Sequence, residues 1–138
     1  DIFVIEDRVT GICHSEHDIR LYYNFAFGHL EQDGESFAYT SQKGRPYTVT
    51  VQADKPLDFE ILEGSEEPIG GWISYGYAWR KPIPQLIAKH AGKTPIHFVT
   101  VLAPAGTKAQ AAIKGDAAEV TLADGKVLTL TENGVELH

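Results

Sequence analysis

Apolar and polar residues alternate with a period of two along most of this chain, the spacing of strands that bury one face. The clearest stretch runs from Ile19 to Phe27: Ile19, Leu21, Tyr23, Phe25 and Phe27 fall on one face and Arg20, Tyr22, Asn24 and Ala26 on the other. Ile2 to Ile5, Phe37 to Thr40, Tyr47 to Val51 and Phe59 to Leu62 read as further short strands, rich in the β-branched and aromatic residues that suit a pleated surface. Ile83 to Lys89, Ile96 to Leu102, Gln110 to Ile113, Ala118 to Leu122, Lys126 to Leu130 and Gly134 to Leu137 extend the series. Gln42-Lys43-Gly44-Arg45-Pro46 has the composition of a turn, and Asp124-Gly125 is the strongest short hairpin signal in the chain. Ala91-Gly92-Lys93-Thr94-Pro95 predicts a longer hairpin loop between the strands on either side of it.

No long segment holds the 3.6-residue period of a helix, although Lys108 to Ile113 is Ala-rich enough to allow one helical turn. About ten short strands at this spacing predict an all-β fold, an antiparallel β-sandwich of jelly-roll-like form. Residues 1–138 are expected to form one such domain, with a terminal β-meander starting near residue 105, after Pro104-Ala105-Gly106.

Composition narrows the function classes. An apolar fraction of 43% with 22% charged residues is that of a chain able to bury a core rather than stay disordered. No apolar run is long enough to span a bilayer, and no basic segment followed by an apolar one opens the sequence. Methionine is absent, position 1 included, which raises the expectation of a processed or excised piece of a longer protein. The net charge of −7, with no basic stripe, argues against a nucleic-acid partner. Cys13 is the only cysteine, so no internal disulfide forms, and its setting suggests a small buried apolar residue.

Candidate chemistry is sparse. His14 and His17, with Glu16 and Asp18, make a His-x-x-His cluster of the kind that ligates metals, but no further ligand lies at customary spacing, and a polar loop accounts for it. Carboxylates cluster at Glu60, Glu63, Glu66 and Glu67; a solvated acidic loop explains them better than a glycosidase-type pair. His97 sits at a polar position of an apolar strand, opposite in direction to Phe98, and reads as a half-buried structural residue. His29, His90 and His138 have no evident partners. Phosphate-binding glycine loops and nucleophile elbows are absent from the sequence. No catalytic residue, metal ligand or cofactor is therefore assigned.

The run Gly70 to Pro84 stands apart, with two Trp, two Tyr, Arg80, Lys81 and two Pro in close succession. If residues 72–80 are extended, Ile73, Tyr75, Tyr77 and Trp79 share one face. Two readings follow. The row is either part of the sandwich interior, which buries large aromatics routinely, or a platform on which sugar rings stack, with Arg80 and Lys81 beside it to meet a carboxylate. Tyr75, Tyr77, Trp79, Arg80 and Lys81 are thus the candidate substrate-binding residues.

This run also carries a family resemblance. Gly71-Trp72-Ile73-Ser74-Tyr75-Gly76-Tyr77-Ala78-Trp79-Arg80-Lys81-Pro82-Ile83-Pro84 resembles the Gly-Trp-x-Ser-x-x-Tyr-Gly segment, followed by a basic residue and Pro, of heparinase II/III-like proteins. Thr94-Pro95-Ile96-His97-Phe98-Val99-Thr100-Val101-Leu102 is similar to a downstream strand of that family. Val4-Ile5-Glu6-Asp7-Arg8 and Glu16-His17-Asp18-Ile19-Arg20-Leu21 resemble two upstream strands, so that residues 3–104 follow the family order. Ala78 departs from the pattern, standing where the family has Gly.

The resemblance implies a polysaccharide lyase in which an N-terminal helical toroid precedes β-sheet domains and which cleaves uronic-acid polysaccharides, glycosaminoglycans among them, by β-elimination. It implies that this chain is a non-catalytic C-terminal β domain, that its partners are the missing toroid of the same protein and an acidic polysaccharide, and that the protein is periplasmic or secreted. The family's catalytic His segment lies upstream of anything present here, so no catalytic residue is carried over. Two other readings stay open: a free-standing carbohydrate-binding module using Tyr75, Tyr77 and Trp79, and a protein-interaction β domain with an exposed sheet edge.

Overall fold

Where alternation is strong, the chain extends and pairs. The computed structural model describes residues 1–12 and 14–138; Cys13 and its expected burial lie outside the described residues. Five strands form the central sheet, in the order β1 (Phe3–Val9), β12 (Ile96–Pro104), β5 (Pro46–Ala53), β4 (Ser36–Ser41) and β3 (Gly28–Asp33). A three-stranded sheet, β2 (His17–Asn24), β11 (Pro84–Gly92) and β6 (Asp58–Glu63), covers one face of it. A four-stranded meander, β13 (Ala109–Lys114), β14 (Ala117–Leu122), β15 (Val127–Thr131) and β16 (Gly134–Leu137), covers the other. Two small hairpins, β7 (Ser65–Glu66) with β8 (Ile69–Gly70) and β9 (Trp72–Gly76) with β10 (Trp79–Pro82), project between β6 and β11 in the chain. All pairings are antiparallel and no helix is present among the described residues, so none is long and apolar enough to cross a membrane. The fold is an all-β antiparallel sandwich, as the alternation predicts.

Two cores result, and the pleat of the central sheet serves both. Phe37, Tyr39, Val49 and Val51 pack against Leu86 and Ala88 of β11, with Leu21, Tyr23, Phe59 and Ile61 around them. On the opposite face Val99 and Val101 meet Ala118, Val120 and Leu130 of the meander. Aromatic edges lock the first core: Phe37 meets Phe59 edge-on at 5.0 Å, and Phe25 lies 4.9 Å from Tyr39. The Tyr23 hydroxyl donates to Thr100 Oγ1 at 2.8 Å, and burial pushes its phenol pKa up.

Several local expectations change. The 91–95 segment is not a hairpin loop; it carries the chain from one sheet to another, because β11 pairs with β2 and β6 whereas β12 pairs with β1 and β5. Both strands are buried on both faces and each takes two neighbours, which leaves neither an edge for the other. Residues 109–114 are strand, not helical turn, since Ala109, Ala111 and Ile113 alternate inward against β12 and β1. β3 is an addition to the expected strands: only Leu30 points to the core, and His29, Glu31, Gln32 and Asp33 give it the polar character of a protected edge. Sixteen strands stand among the described residues instead of about ten, the surplus being chiefly β3 and the short pieces of the two small hairpins. At Asp124-Gly125 the structure has the expected turn, with Gly125 at φ 84° and its N–H donating to the Leu122 carbonyl.

Candidate functional site

The aromatic run does not form one strand. It folds back at Tyr77-Ala78 into the β9–β10 hairpin, with Trp79 paired to Gly76, Lys81 to Ile73 and Pro82 to Trp72. Ser74 fixes the fold-back: its hydroxyl lies 2.6 Å from the Trp79 carbonyl and 2.9 Å from that of Gly76. The row of Tyr75, Tyr77 and Trp79 on a single strand face is therefore broken, and the rings do not line the sandwich interior. Tyr75 is 73% exposed, Tyr77 103% and Trp79 37%. Tyr77 occupies the hairpin tip, while Tyr75 and Trp79 face each other across it with centroids 5.4 Å apart and planes at 34°.

The two cations separate. Lys81 Nζ stands 5.5 Å from the Trp79 ring centroid and has no carboxylate partner among the described residues. Arg80 turns toward the root of the hairpin, where its guanidinium carbon sits 4.1 Å over the Trp72 ring and Nη2 meets Glu66 Oε1 at 2.6 Å. Tyr75, Trp79 and Lys81 thus come together, and Arg80 does not join them. The root itself is tightly drawn: the Trp72 indole N–H donates to the Ser65 carbonyl at 2.8 Å, and Gly71, at φ 70°, passes so close to β6 that a Cβ would fall 2.6 Å from the Leu62 carbonyl. Trp72 and Glu66 join the site without having been among its candidates: alternation puts Trp72 on the Arg80 face, and Glu66 stood out only as part of the acidic cluster.

The other candidates resolve into structure. Glu60 pairs with Lys89 across β6 and β11 at 2.9 Å, and Glu66 with Arg80, so two of the four carboxylates of the acidic cluster are taken up in ion pairs. His14, Glu16, His17 and Asp18 are exposed, and among the described residues no group of three or more His, Cys, Asp or Glu side chains is placed to hold a metal ion. His29 lies 3.3 Å from Glu31, His90 Nδ1 2.8 Å from the Pro56 carbonyl and His138 3.3 Å from Glu136, partners the sequence does not reveal. His97 is only 6% exposed, deeper than half-buried, with Nε2 2.6 Å from Glu6 Oε1. Arg8 holds the same oxygen at 2.8 Å and reaches Glu132 and the Asp116 carbonyl in the meander. Burial pushes the Glu6 carboxyl up most strongly, but the hydrogen bonds and charges of Arg8 and His97 together hold it below its ordinary range. This cluster clamps two layers together; it presents no free nucleophile or base to solvent.

Comparison with solved structures places the architecture. Over 94% of its length the chain superposes on a heparinase III (the BT4657 gene product), with a TM-score of 0.72 and 19% sequence identity. The fold is heparinase III-like. The form of that heparinase III with methylated lysines gives the same TM-score and identity. The match covers 21% of the heparinase III chain, so the present chain spans about a fifth of that protein's length. No protein-family model matches the sequence, and no curated protein matches it either. At this identity the likeness is one of fold, and it agrees with the resemblance carried by residues 3–104.

Proposed function

We propose that this chain is the non-catalytic C-terminal β-sandwich domain of a heparinase-like polysaccharide lyase, packing against an N-terminal helical toroid and lending the β9–β10 hairpin to the glycan cleft. The observation that carries the reading is the exposed aromatic hairpin, Tyr75 packed at a tilt against Trp79 with Lys81 beside them, on a fold that matches a fifth of a heparinase III. Sugar rings present flat C–H faces to aromatic platforms, and an uncompensated ammonium meets a uronate carboxylate. β-Elimination needs a base for the proton next to the carboxylate and an acid for the leaving oxygen. The Glu66 carboxylate at the hairpin root is already paired with Arg80, and under this reading the proton transfers fall to the toroid, leaving Tyr75, Tyr77, Trp79 and Lys81 to meet the substrate and Arg80 to support them.

The test is made in the parent enzyme. Replacing Tyr75 and Trp79 together by Ala is expected to raise KM for the polysaccharide several-fold while leaving kcat within about twofold, the signature of lost uniform binding. An unchanged KM would count against the reading. A free-standing carbohydrate-binding module is the second reading, favoured by the same exposure of Tyr75, Tyr77 and Trp79. It requires the chain to bind glycan at full strength without any partner domain.

A further inference from the structure

The two basic residues at the end of the hairpin are neighbours in sequence but occupy different electrostatic settings. Arg80 is compensated twice. Its charge is matched by Glu66 of β7 at 2.6 Å, and its guanidinium plane lies 4.1 Å over Trp72 of β9. An anion arriving at Arg80 would have to displace Glu66, a carboxylate already in place. Lys81 has an aromatic face 5.5 Å away and no carboxylate within ion-pair distance among the described residues. The chemistry of the two side chains suits this division: the planar guanidinium stacks and bridges, whereas the ammonium is a compact point charge on a flexible stem.

We propose that Arg80 is a positioning residue, a brace that ties β10 to β7 across the Trp72 ring and so sets the hairpin's orientation, while Lys81 is the cation that meets an acidic ligand. This rests on the glycan-binding reading of the hairpin only for the Lys81 half. The brace has three members in series. Glu66 anchors Arg80, Arg80 covers Trp72, and the Trp72 indole N–H is held by the Ser65 carbonyl in the same small hairpin as Glu66. The exposed pair alone would hold little, since ion pairs in water are weak. Its geometry over an aromatic ring adds the cation–π attraction and fixes the ring's other edge against its carbonyl acceptor. Removing Arg80 therefore loosens the root and displaces the Tyr75–Trp79 platform, without altering which ligand charge is preferred.

Two readouts separate these roles. In the free chain, solvent exchange of the Trp72 indole proton, followed by NMR, is expected to quicken several-fold in Arg80→Ala and in Glu66→Gln and to stay unchanged in Lys81→Ala. In binding experiments with a hexuronate-containing tetrasaccharide and its carboxyl-reduced, neutral counterpart, Lys81→Ala is expected to abolish the preference for the acidic probe. Arg80→Ala should weaken both probes alike and keep that preference. Indole exchange unaffected by Arg80→Ala, or loss of the acid preference in Arg80→Ala as complete as in Lys81→Ala, would overturn the brace. If neither probe binds the wild-type chain, the Lys81 assignment fails together with the glycan reading, and the brace stands or falls on indole exchange alone.

Discussion

At the scale of single residues, Ala78 is the position where local chemistry and backbone are at odds. It holds φ 56°, the only positive φ at a non-glycine among the described residues, at the second position of the hairpin turn. An L-residue with a Cβ costs about 1 kcal/mol or more in this region relative to glycine, part of which glycine returns as unfolded-chain entropy. Ala78→Gly, the residue the resembled family carries here, is expected to stabilise the hairpin by roughly 0.5–1 kcal/mol. Slower amide exchange at Gly76 and Trp79 would register it; faster exchange would show that the turn is held by something other than backbone preference. Glu6 makes a second residue-scale case. Its folded-state pKa lies below the ordinary 4.5, so its contribution is fully present above that value and is lost as pH falls through the lower, folded value. Glu6→Gln should therefore lower stability by about 1 kcal/mol at neutral pH, with the difference from wild type shrinking in acid below pH 4.5. Urea midpoints measured across that range check both the size and the sign. Local sequence shows that Glu6 and Arg8 share a strand face, but not that His97, 91 residues away from Glu6, joins them.

At the scale of elements, alternation located the strands that bury one face and was silent where burial is two-sided or absent. β2 reads cleanly because Ile19, Leu21 and Tyr23 face the core while Arg20 and Tyr22 face out. β11 and β12 read as strands but not as partners, since a strand buried on both faces shows no preferred side, and the sheet each joins depends on distant sequence. The aromatic run was legible as a site by composition and misread in shape. Period-two reasoning continued through Tyr77-Ala78, where the chain in fact reverses, yet its separation of Arg80, on the Trp72 face, from Tyr75 and Trp79 agrees with the structure. The meander is held to the central sheet by Val99, Val101, Val120 and Ala118, all fully or almost fully buried. Val120→Ala should cost about 1–3 kcal/mol through a cavity in that second core. A lowered thermal midpoint with the Phe37 core still protected in hydrogen exchange would show the meander loosening first. Equal loss of protection in both cores would instead show that the layers unfold as one.

At the scale of the whole molecule, an acidic, all-β chain packs two cores and lets one aromatic hairpin protrude as an exposed surface. The heparinase III-like fold gives that surface a context, since the present chain corresponds to about a fifth of such a protein. The net charge of −7 sets a limit on the surface as well: under the proposed reading, an acidic glycan would meet general repulsion, and its approach would depend on a local positive site at Lys81 together with ring stacking. Raised salt should therefore weaken binding only modestly, because loss of the Lys81 contact is partly offset by screening of the repulsion. The most direct measurement is a titration of the chain with a hexuronate-containing oligosaccharide followed by Trp fluorescence. The predicted result is a saturable change that disappears in Trp79→Ala and Tyr75→Ala and persists in Tyr22→Ala, an exposed tyrosine on β2. Absence of any saturable change in the wild-type chain, or a change that survives loss of both Tyr75 and Trp79, would contradict the assignment of the hairpin to glycan binding.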